Sequence, residues 1–424
     1  MSIIDELEWR GAINQVTNDE GLRDLVENNK IALYCGVDPT GDSLHIGHLI
    51  PFMVLKRFQL DGHKPYILIG GGTGMIGDPS GRNSERELLN VEQIEQNASA
   101  IAKQMEKLFE ANTENGIAMV NNHDWLKDIS FLEFLRDFGK DFNVNNMLGK
   151  ESVQTRLEHG ISFTEFTYQI IQSMDFLHLY QNHDVQLQVG GADQWGNITA
   201  GLDLIRKKEG TEDQEAEAYG LTIPLLLKAD GTKFGKSAGG AVWLDPEKTS
   251  PYEFYQFWLN QQDADVVKYL KYFSFLSKEE IDELARQTEE EPHKRAAQRA
   301  LAEEMTKFVH SKEALEDAQN ISEALFSGNV AELTVAQLKN AESSMNTTAT
   351  KAEAANLIDF LVDQTGIESS RRQAREDIKN GAIYIKGERI QDIDYTISEN
   401  DAYDGEYILV RRGKKKYFLV ELTK

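Results

Sequence analysis

Asp38-Pro-Thr-Gly-Asp-Ser-Leu-His45-Ile-Gly-His48 is the stretch of this chain best suited to chemistry. It ends where an apolar pattern with helical spacing runs from Leu49 to Leu60, so His45 and His48 are expected on one face of that helix's first turn. Free N–H groups and the helix dipole favour an anion there. Gly47 removes a side chain and would let a ligand approach the backbone. Taken alone, the pair reads equally well as two satisfied histidines near a helix cap. A metal is disfavoured, because no third ligand is evident nearby. Further on, Lys233-Phe-Gly-Lys236-Ser237 puts two cations on a short glycine-containing loop, suited to neutralising charge on a transferring phosphoryl group. By itself such a loop is ordinarily solvated charge.

Other polar residues recur with useful spacing. Tyr168, Gln172 and Asp175 fall at i, i+4 and i+7 of a helical run over 163–180, so they share one side of it. Alone, that side would more often be solvated. Val189-Gly-Gly191-Ala-Asp193-Gln194 follows a strand at a helix start. Close backbone approach at Gly191 and a hydroxyl acceptor at Asp193 suit a ribose, although a helix-capping Asp is as good a reading. Gly72-Thr-Gly74-Met-Ile-Gly77 matches the dinucleotide fingerprint. The Asp78-Pro79-Ser80-Gly81 that follows opposes the helix this fingerprint requires. An NAD oxidoreductase is therefore disfavoured, and Asp78 is left as a carboxylate offered to some ligand.

Positioning these groups calls for a sheet. Apolar runs at 31–37, 66–69, 185–189 and 221–227 alternate with helical patterns, which predicts an α/β fold, a doubly wound, Rossmann-like parallel sheet over 1–247. Helical periodicity dominates 248–340, giving an all-α domain. The small polar residues at 341–353 read as a flexible linker, and 354–424 as a small α+β domain. The start of the chain is acidic, with no basic patch before an apolar stretch, and no apolar run approaches membrane-spanning length. A cytoplasmic protein is expected. The single cysteine, Cys35, excludes an internal disulfide and a multi-cysteine zinc site. A formal charge of −25 argues against a nucleic-acid partner until its distribution is considered. From 367 to 424, 12 Lys/Arg face 11 Asp/Glu, so the excess of acid lies elsewhere. The basic residues cluster as Arg371, Arg372, Arg375 and Lys379, then as Arg411, Arg412, Lys414, Lys415 and Lys416, where phosphate contact is the expected role.

His45-Ile-Gly-His48 resembles the HIGH signature of class I aminoacyl-tRNA synthetases, and Lys233-Phe-Gly-Lys236-Ser237 resembles their KMSKS loop in a form associated with tyrosyl enzymes. The resemblance spans nearly the whole chain; Pro51 and Arg82 are its departures. It implies an enzyme that activates L-tyrosine with ATP, with Mg2+ on the phosphates, and transfers it to tRNA(Tyr). By resemblance, Tyr168, Gln172 and Asp78 would hold the substrate ammonium group, and Tyr34 with Asp175 its phenolic hydroxyl. Gln194 would lie nearer the tyrosyl portion. Gly36, Asp38, Gly47, Gly191, Asp193 and Ser237 would line the adenylate. Thr40, His45, His48, Arg82, Arg86, Lys233 and Lys236 would meet the phosphates. The end of the chain resembles the S4-like RNA-binding domain. A homodimer is implied, with 131–158 as its candidate interface. Two rivals remain within the resemblance: a tryptophanyl enzyme, and a catalytically idle RNA-binding scaffold.

Overall fold

In the computed structural model the four apolar runs become β2 (Ala32–Val37), β3 (Lys64–Ile69), β5 (Val185–Gly191) and β6 (Tyr219–Ile223), joined by two strands not expected from the sequence, β1 (Gln15–Val16) and β4 (Ala118–Asn121). Residues 82–87, 158, 212–215, 233, 238, 239 and 424 lie outside the described residues, and of Lys236 and Ser237 only the backbone is described. Strand order is β1-β6-β5-β2-β3-β4, parallel except for β1 against β6. The chain leaves β2 towards β3 on one side and later returns to β5 on the other. Between β2 and β5 the winding reverses, and a crevice opens beyond the strands' carboxyl ends. Helices Leu49–Leu60, Val91–Leu108, Phe163–His183 and Trp195–Glu209 connect the strands. The 163–183 helix begins where the Ser162 hydroxyl accepts the Glu165 N–H, and it stops at Asp184 in the left-handed region (φ 53°). Leu33, Ile67, Leu187 and Leu221 are fully buried, as strands covered on both faces require.

Two compact units make up the chain: Met1–Asp245 with Gln262–Ala297, and Pro246–Gln261 with Gln298–Lys424. The expected all-α domain at 248–340 is thus divided, because helices Asp263–Phe273 and Lys278–Glu290 belong with the sheet. A physical reason lies at the carboxyl end of the 263–273 helix, whose last carbonyls need donors. Arg10 donates to Lys271 O (2.9 Å), Ser274 O (3.2 Å) and Leu276 O (2.8 Å). Arg57, from the 49–60 helix, donates to Ser274 O (2.6 Å). Both guanidinium groups are buried.

The second unit holds helices Pro251–Leu259 and Lys312–Ser327 and a five-stranded sheet. Residues 341–353, expected as a linker, contain β9 (Asn346–Lys351), paired in parallel with Lys416–Thr423 along the sheet edge. Small polar side chains there are compatible with an exposed edge strand, and Asn-Thr-Thr-Ala-Thr is rich in β-branched threonine. Leu357, Phe360, Ile378, Ile383, Val410 and Val420 form this sheet's core. Among the described residues, no helix is long and apolar enough to cross a membrane.

Arg57→Met keeps most of the buried volume but removes the shorter of the two guanidinium bonds to the Ser274 carbonyl, leaving only the 3.2 Å bond from Arg10. It should cost about 3 kcal/mol, measured by urea unfolding; a loss below about 1 kcal/mol would show that the arginine does not hold the 263–273 helix.

Candidate active site

The histidine turn differs from expectation. The helix begins at Leu49, so His45 and His48 precede it rather than occupy its first turn. His48 stands at the N-cap with a helical backbone and no side-chain cap bond. The His45 N–H donates to His48 Nδ1 (3.2 Å), and the Gly47 N–H donates to His45 Nδ1 (3.1 Å). With Nδ1 accepting in both rings, each neutral imidazole carries its proton on Nε2, as a donor suited to phosphate oxygen. The rings stack with centroids 3.8 Å apart. Gly47 makes room for this stack: a Cβ there would lie 2.9 Å from His45 Cε1.

Beyond the carboxyl end of β2 lies a continuous polar network. The Tyr168 hydroxyl donates to Asp38 Oδ2 (2.9 Å), and the Thr73 hydroxyl to Asp38 Oδ1 (2.7 Å). Gly70 clears the space, since its Cβ would lie 2.0 Å from Asp38 Oδ1. Asp38, expected beside the adenylate, is therefore joined to Tyr168 of the ammonium-binding set. Gln194 Nε2 donates to Asp78 Oδ2 (2.7 Å), and Asn197 Nδ2 donates to Gln172 Oε1 (3.1 Å) and Gln194 Oε1 (3.2 Å). Asp78, Tyr168, Gln172 and Gln194 are thus brought into one polar region with two carboxylates, suited to an ammonium ion. The fingerprint-like glycines open no α-helix; Thr73–Met75 is a single 3-10 turn.

At the far side sits Asp175, buried, with both oxygens engaged. Asn122 Nδ2 donates to Oδ2 (2.9 Å) and Trp125 Nε1 to Oδ1 (2.9 Å). Trp125 stacks on His178 at 4.2 Å, which orients its indole. Burial pushes the Asp175 carboxyl up to about 7, against the lowering effect of these two donors. Tyr34 on β2 is 1% exposed, and its hydroxyl has no hydrogen-bond partner among the described residues. Burial first, then the charge of Asp175, raise Tyr34 well above the usual phenol range. A buried hydroxyl without a partner costs free energy unless a ligand supplies one.

Sequence reasoning missed Asn122, Trp125, Thr73 and Asn197. The first two follow β4, a strand too short and too weakly apolar to stand out; the paired Asn121-Asn122 at its end was the available signal. Thr40, Gly36 and Asp193 are exposed at the crevice strands' ends. A Cβ on Gly191 would lie 2.6 Å from Asp193 Oδ1, so that glycine accommodates its own neighbour. Arg82, Arg86 and Lys233 lie outside the described residues, as do the side chains of Lys236 and Ser237.

In the second unit the basic residues divide. Arg372, Arg375 and Lys379 are exposed on helix Arg371–Lys379, as are Lys414 and Lys415 at the tip and Lys416 where the strand Lys416–Thr423 begins. Arg371 is held by Asp359 (2.6 Å) and by Asp363. Arg412 Nε pairs with Glu368 Oε1 (2.9 Å) and Asp377 Oδ2 (3.1 Å); burial raises the Glu368 carboxyl to about 7. Arg411 lies over the Tyr384 ring at 3.9 Å. Arg411 and Arg412 are therefore half-buried in the domain's own packing rather than exposed for phosphate.

Residues 26–327 match the family model described as tRNA synthetases class I (W and Y), and 337–420 match the tyrosine–tRNA ligase SYY-like C-terminal domain. The fold is that of a class I aminoacyl-tRNA synthetase. The chain is 63% identical over 422 residues to tyrosine–tRNA ligase 1 of Enterococcus faecalis, and 64% identical over 422 residues to the tyrosine–tRNA ligase of Ligilactobacillus salivarius, with 100% of each chain covered. A C-terminally truncated mitochondrial tyrosyl-tRNA synthetase of Aspergillus nidulans superposes with TM-score 0.69 at 33% identity, over 77% of this chain and 94% of its own. The tryptophanyl-tRNA synthetase of Encephalitozoon cuniculi, covering 79% of this chain and 89% of its own, shares the fold alone (TM-score 0.53, 16% identity). This chain belongs to the tyrosine–tRNA ligases.

The folded Asp175 carboxyl titrates above its ordinary value, so the native protein binds that proton more tightly than the unfolded chain does. Its contribution therefore favours the ligand-free fold at low pH and fades as pH rises from about 4 to about 7. Asp175→Asn removes this dependence. Relative to wild type, the variant should gain roughly 2–4 kcal/mol between pH 4 and 8, read from urea unfolding at both pH values. A difference that stays constant with pH would contradict the buried-acid account.

Proposed function

We propose that this chain activates L-tyrosine with ATP and transfers it to tRNA(Tyr). The observation that carries the reading is the buried, unpartnered Tyr34 hydroxyl close to a buried Asp175. A phenol entering there gives Tyr34 a partner and meets a carboxylate already oriented by Asn122 and Trp125. Phenylalanine would leave the buried Tyr34 hydroxyl unpaired and give Asp175 no hydroxyl to accept from, so discrimination needs no separate editing site. At the other end Asp78, Tyr168, Gln172 and Gln194 take the ammonium group.

No protein nucleophile is needed. The tyrosine carboxylate oxygen attacks the α-phosphorus of ATP, the bond to the bridging oxygen breaks, and pyrophosphate leaves. A terminal ribose hydroxyl of the tRNA then attacks the adenylate carbonyl, releasing AMP and giving the ester. Thr40, His45, His48, Arg82, Arg86, Lys233 and Lys236 supply positioning and charge stabilisation. Gly36, Gly47, Gly191, Asp193 and Ser237 lie along the nucleotide. Mg2+ enters with ATP on its phosphates; among the described residues no His, Cys, Asp and Glu cluster could hold a metal. Arg372, Arg375, Lys379 and Lys414–Lys416 take tRNA phosphates, where exposed side chains can meet a backbone. The protein works in the cytoplasm as a homodimer. Supporting the dimer, Phe131, Leu132, Leu135, Val144, Leu157 and Phe163 are exposed within one stretch of chain, and isolated monomers rarely leave so much apolar surface to water.

Pyrophosphate exchange should run with tyrosine and not with phenylalanine or tryptophan; exchange driven by tryptophan would overturn the pocket. Lys236→Ala should lower the exchange rate at least about tenfold while leaving ATP binding within about twofold; equal losses in both would mean that Lys236 binds the ground state. Leu132→Asp should convert a dimer to a monomer in sedimentation, and an unchanged dimer would move the interface elsewhere.

A further inference from the structure

The two signature stretches touch through their backbones. The Ile46 N–H donates to Val242 O (2.9 Å) and the Leu244 N–H to Leu44 O (2.8 Å), so the return arm after the lysine-bearing turn runs beside the histidine turn. His45 and Trp243 form the bridge between them. The turn itself is a short hairpin of β7 (Lys236–Ser237) and β8 (Gly240–Ala241). Gly235 sits at φ +102°, and a Cβ there would lie 3.4 Å from Gly47 N. Two glycines, one from each motif, therefore meet face to face.

What holds the hairpin from the other side is aromatic. Phe234 is 8% exposed, and its ring centroid is 4.8 Å from Tyr269 and 5.2 Å from Phe273, both on the 263–273 helix. Its N–H donates to Leu226 O (3.1 Å). That helix is itself fastened by Arg10 and Arg57 through its terminal carbonyls. Phe234 stands between Lys233 and Lys236 in sequence, at the position where the resembling signature has methionine.

We propose that the seat formed by Tyr269 and Phe273 fixes Phe234 and thereby holds the lysine-bearing hairpin on the histidine turn, making these three aromatic residues positioning residues for adenylate formation. This rests on the reading of Lys236 as a catalytic group. The cation's benefit grows as charge develops on the departing pyrophosphate, so a loosened anchor costs turnover. The tyrosine pocket is built from β2, the residues after β4, Asp78, Gln194 and the 163–183 helix and does not use the anchor, so tyrosine affinity is spared.

The test is pyrophosphate exchange by the full-length enzyme carrying Phe234→Ala, Phe234→Met or Gly235→Ala, with Lys236→Ala alongside. Phe234→Ala should lower kcat by about tenfold to a hundredfold, with KM for tyrosine within about twofold. Phe234→Met should recover most of that loss, because a flexible thioether still packs between two rings. Gly235→Ala, strained at positive φ and pressed on Gly47, should lower kcat similarly. Thermal unfolding midpoints within a few degrees of wild type identify variants that fold, and Phe234→Met covers the case in which the alanine variant does not. If Lys236→Ala lowers kcat but Phe234→Ala does not, or if Phe234→Ala raises KM for tyrosine as much as it lowers kcat, the anchor falls alone. If Lys236→Ala is as active as wild type, the reading of the loop as catalytic falls and takes the anchor with it.

Discussion

A carboxylic acid taken out of water must find donors, and at this site the donors found for Asp175 organise everything else. Asn122 reaches Asp175 and, from the same amide, Thr73 (2.9 Å). The Thr73 hydroxyl donates in turn to Asp38, and Asp38 also accepts from the Tyr168 hydroxyl. Tyr168 and Asp175 share a helix, so these bonds close into a ring that begins and ends on the 163–183 element. One face of that helix thereby anchors both ends of the ring. The glycines at 70 and 71 follow from the same ring: a side chain at either would collide with Asp38 or with Asn121. These two glycines precede the fingerprint-like Gly72-Thr-Gly74-Met-Ile-Gly77, and they let carboxylate and amide side chains lie against bare backbone.

How much of this was legible depended on the kind of constraint. The strands at β2, β3 and β5 are short apolar runs between turn formers, and period alone revealed them. β4 escaped because each of its residues is only half-buried, and with it went Asn122 and Trp125, whose importance is entirely one of spatial neighbourhood. The i, i+4, i+7 face of Tyr168, Gln172 and Asp175 could be read because helical periodicity maps sequence onto geometry. No such rule connects Asp38 to Tyr168 across the crevice. The histidine pair was found by motif but misplaced by a turn, since a helix's first residue depends on caps that spacing does not specify. The division of the helical region depended on Arg10 and Arg57, which reach from the start of the chain to carbonyls more than two hundred residues later.

The basic residues of the second unit show how counting charge differs from locating it. Arg371, Arg411 and Arg412 carry the same formal charge as their neighbours, yet carboxylates and an aromatic ring engage them. A guanidinium so committed must break bonds before it can meet a phosphate, whereas the lysines at the tip lose only side-chain freedom. The folding of the domain thus selects which of its cations remain available.

The parallel pairing of β9 with Lys416–Thr423 sets an order on biosynthesis. A ribosome releases 346–351 long before it makes the last strand, which is the one that receives them. Until 416–423 emerge, the threonine-rich stretch has no partner on that side, and the second unit cannot close its sheet. Closure of this sheet therefore depends on a pairing between distant parts of the sequence, and a chain without 416–423 would leave Asn346–Lys351 and Tyr407–Arg412 each with an unpaired edge.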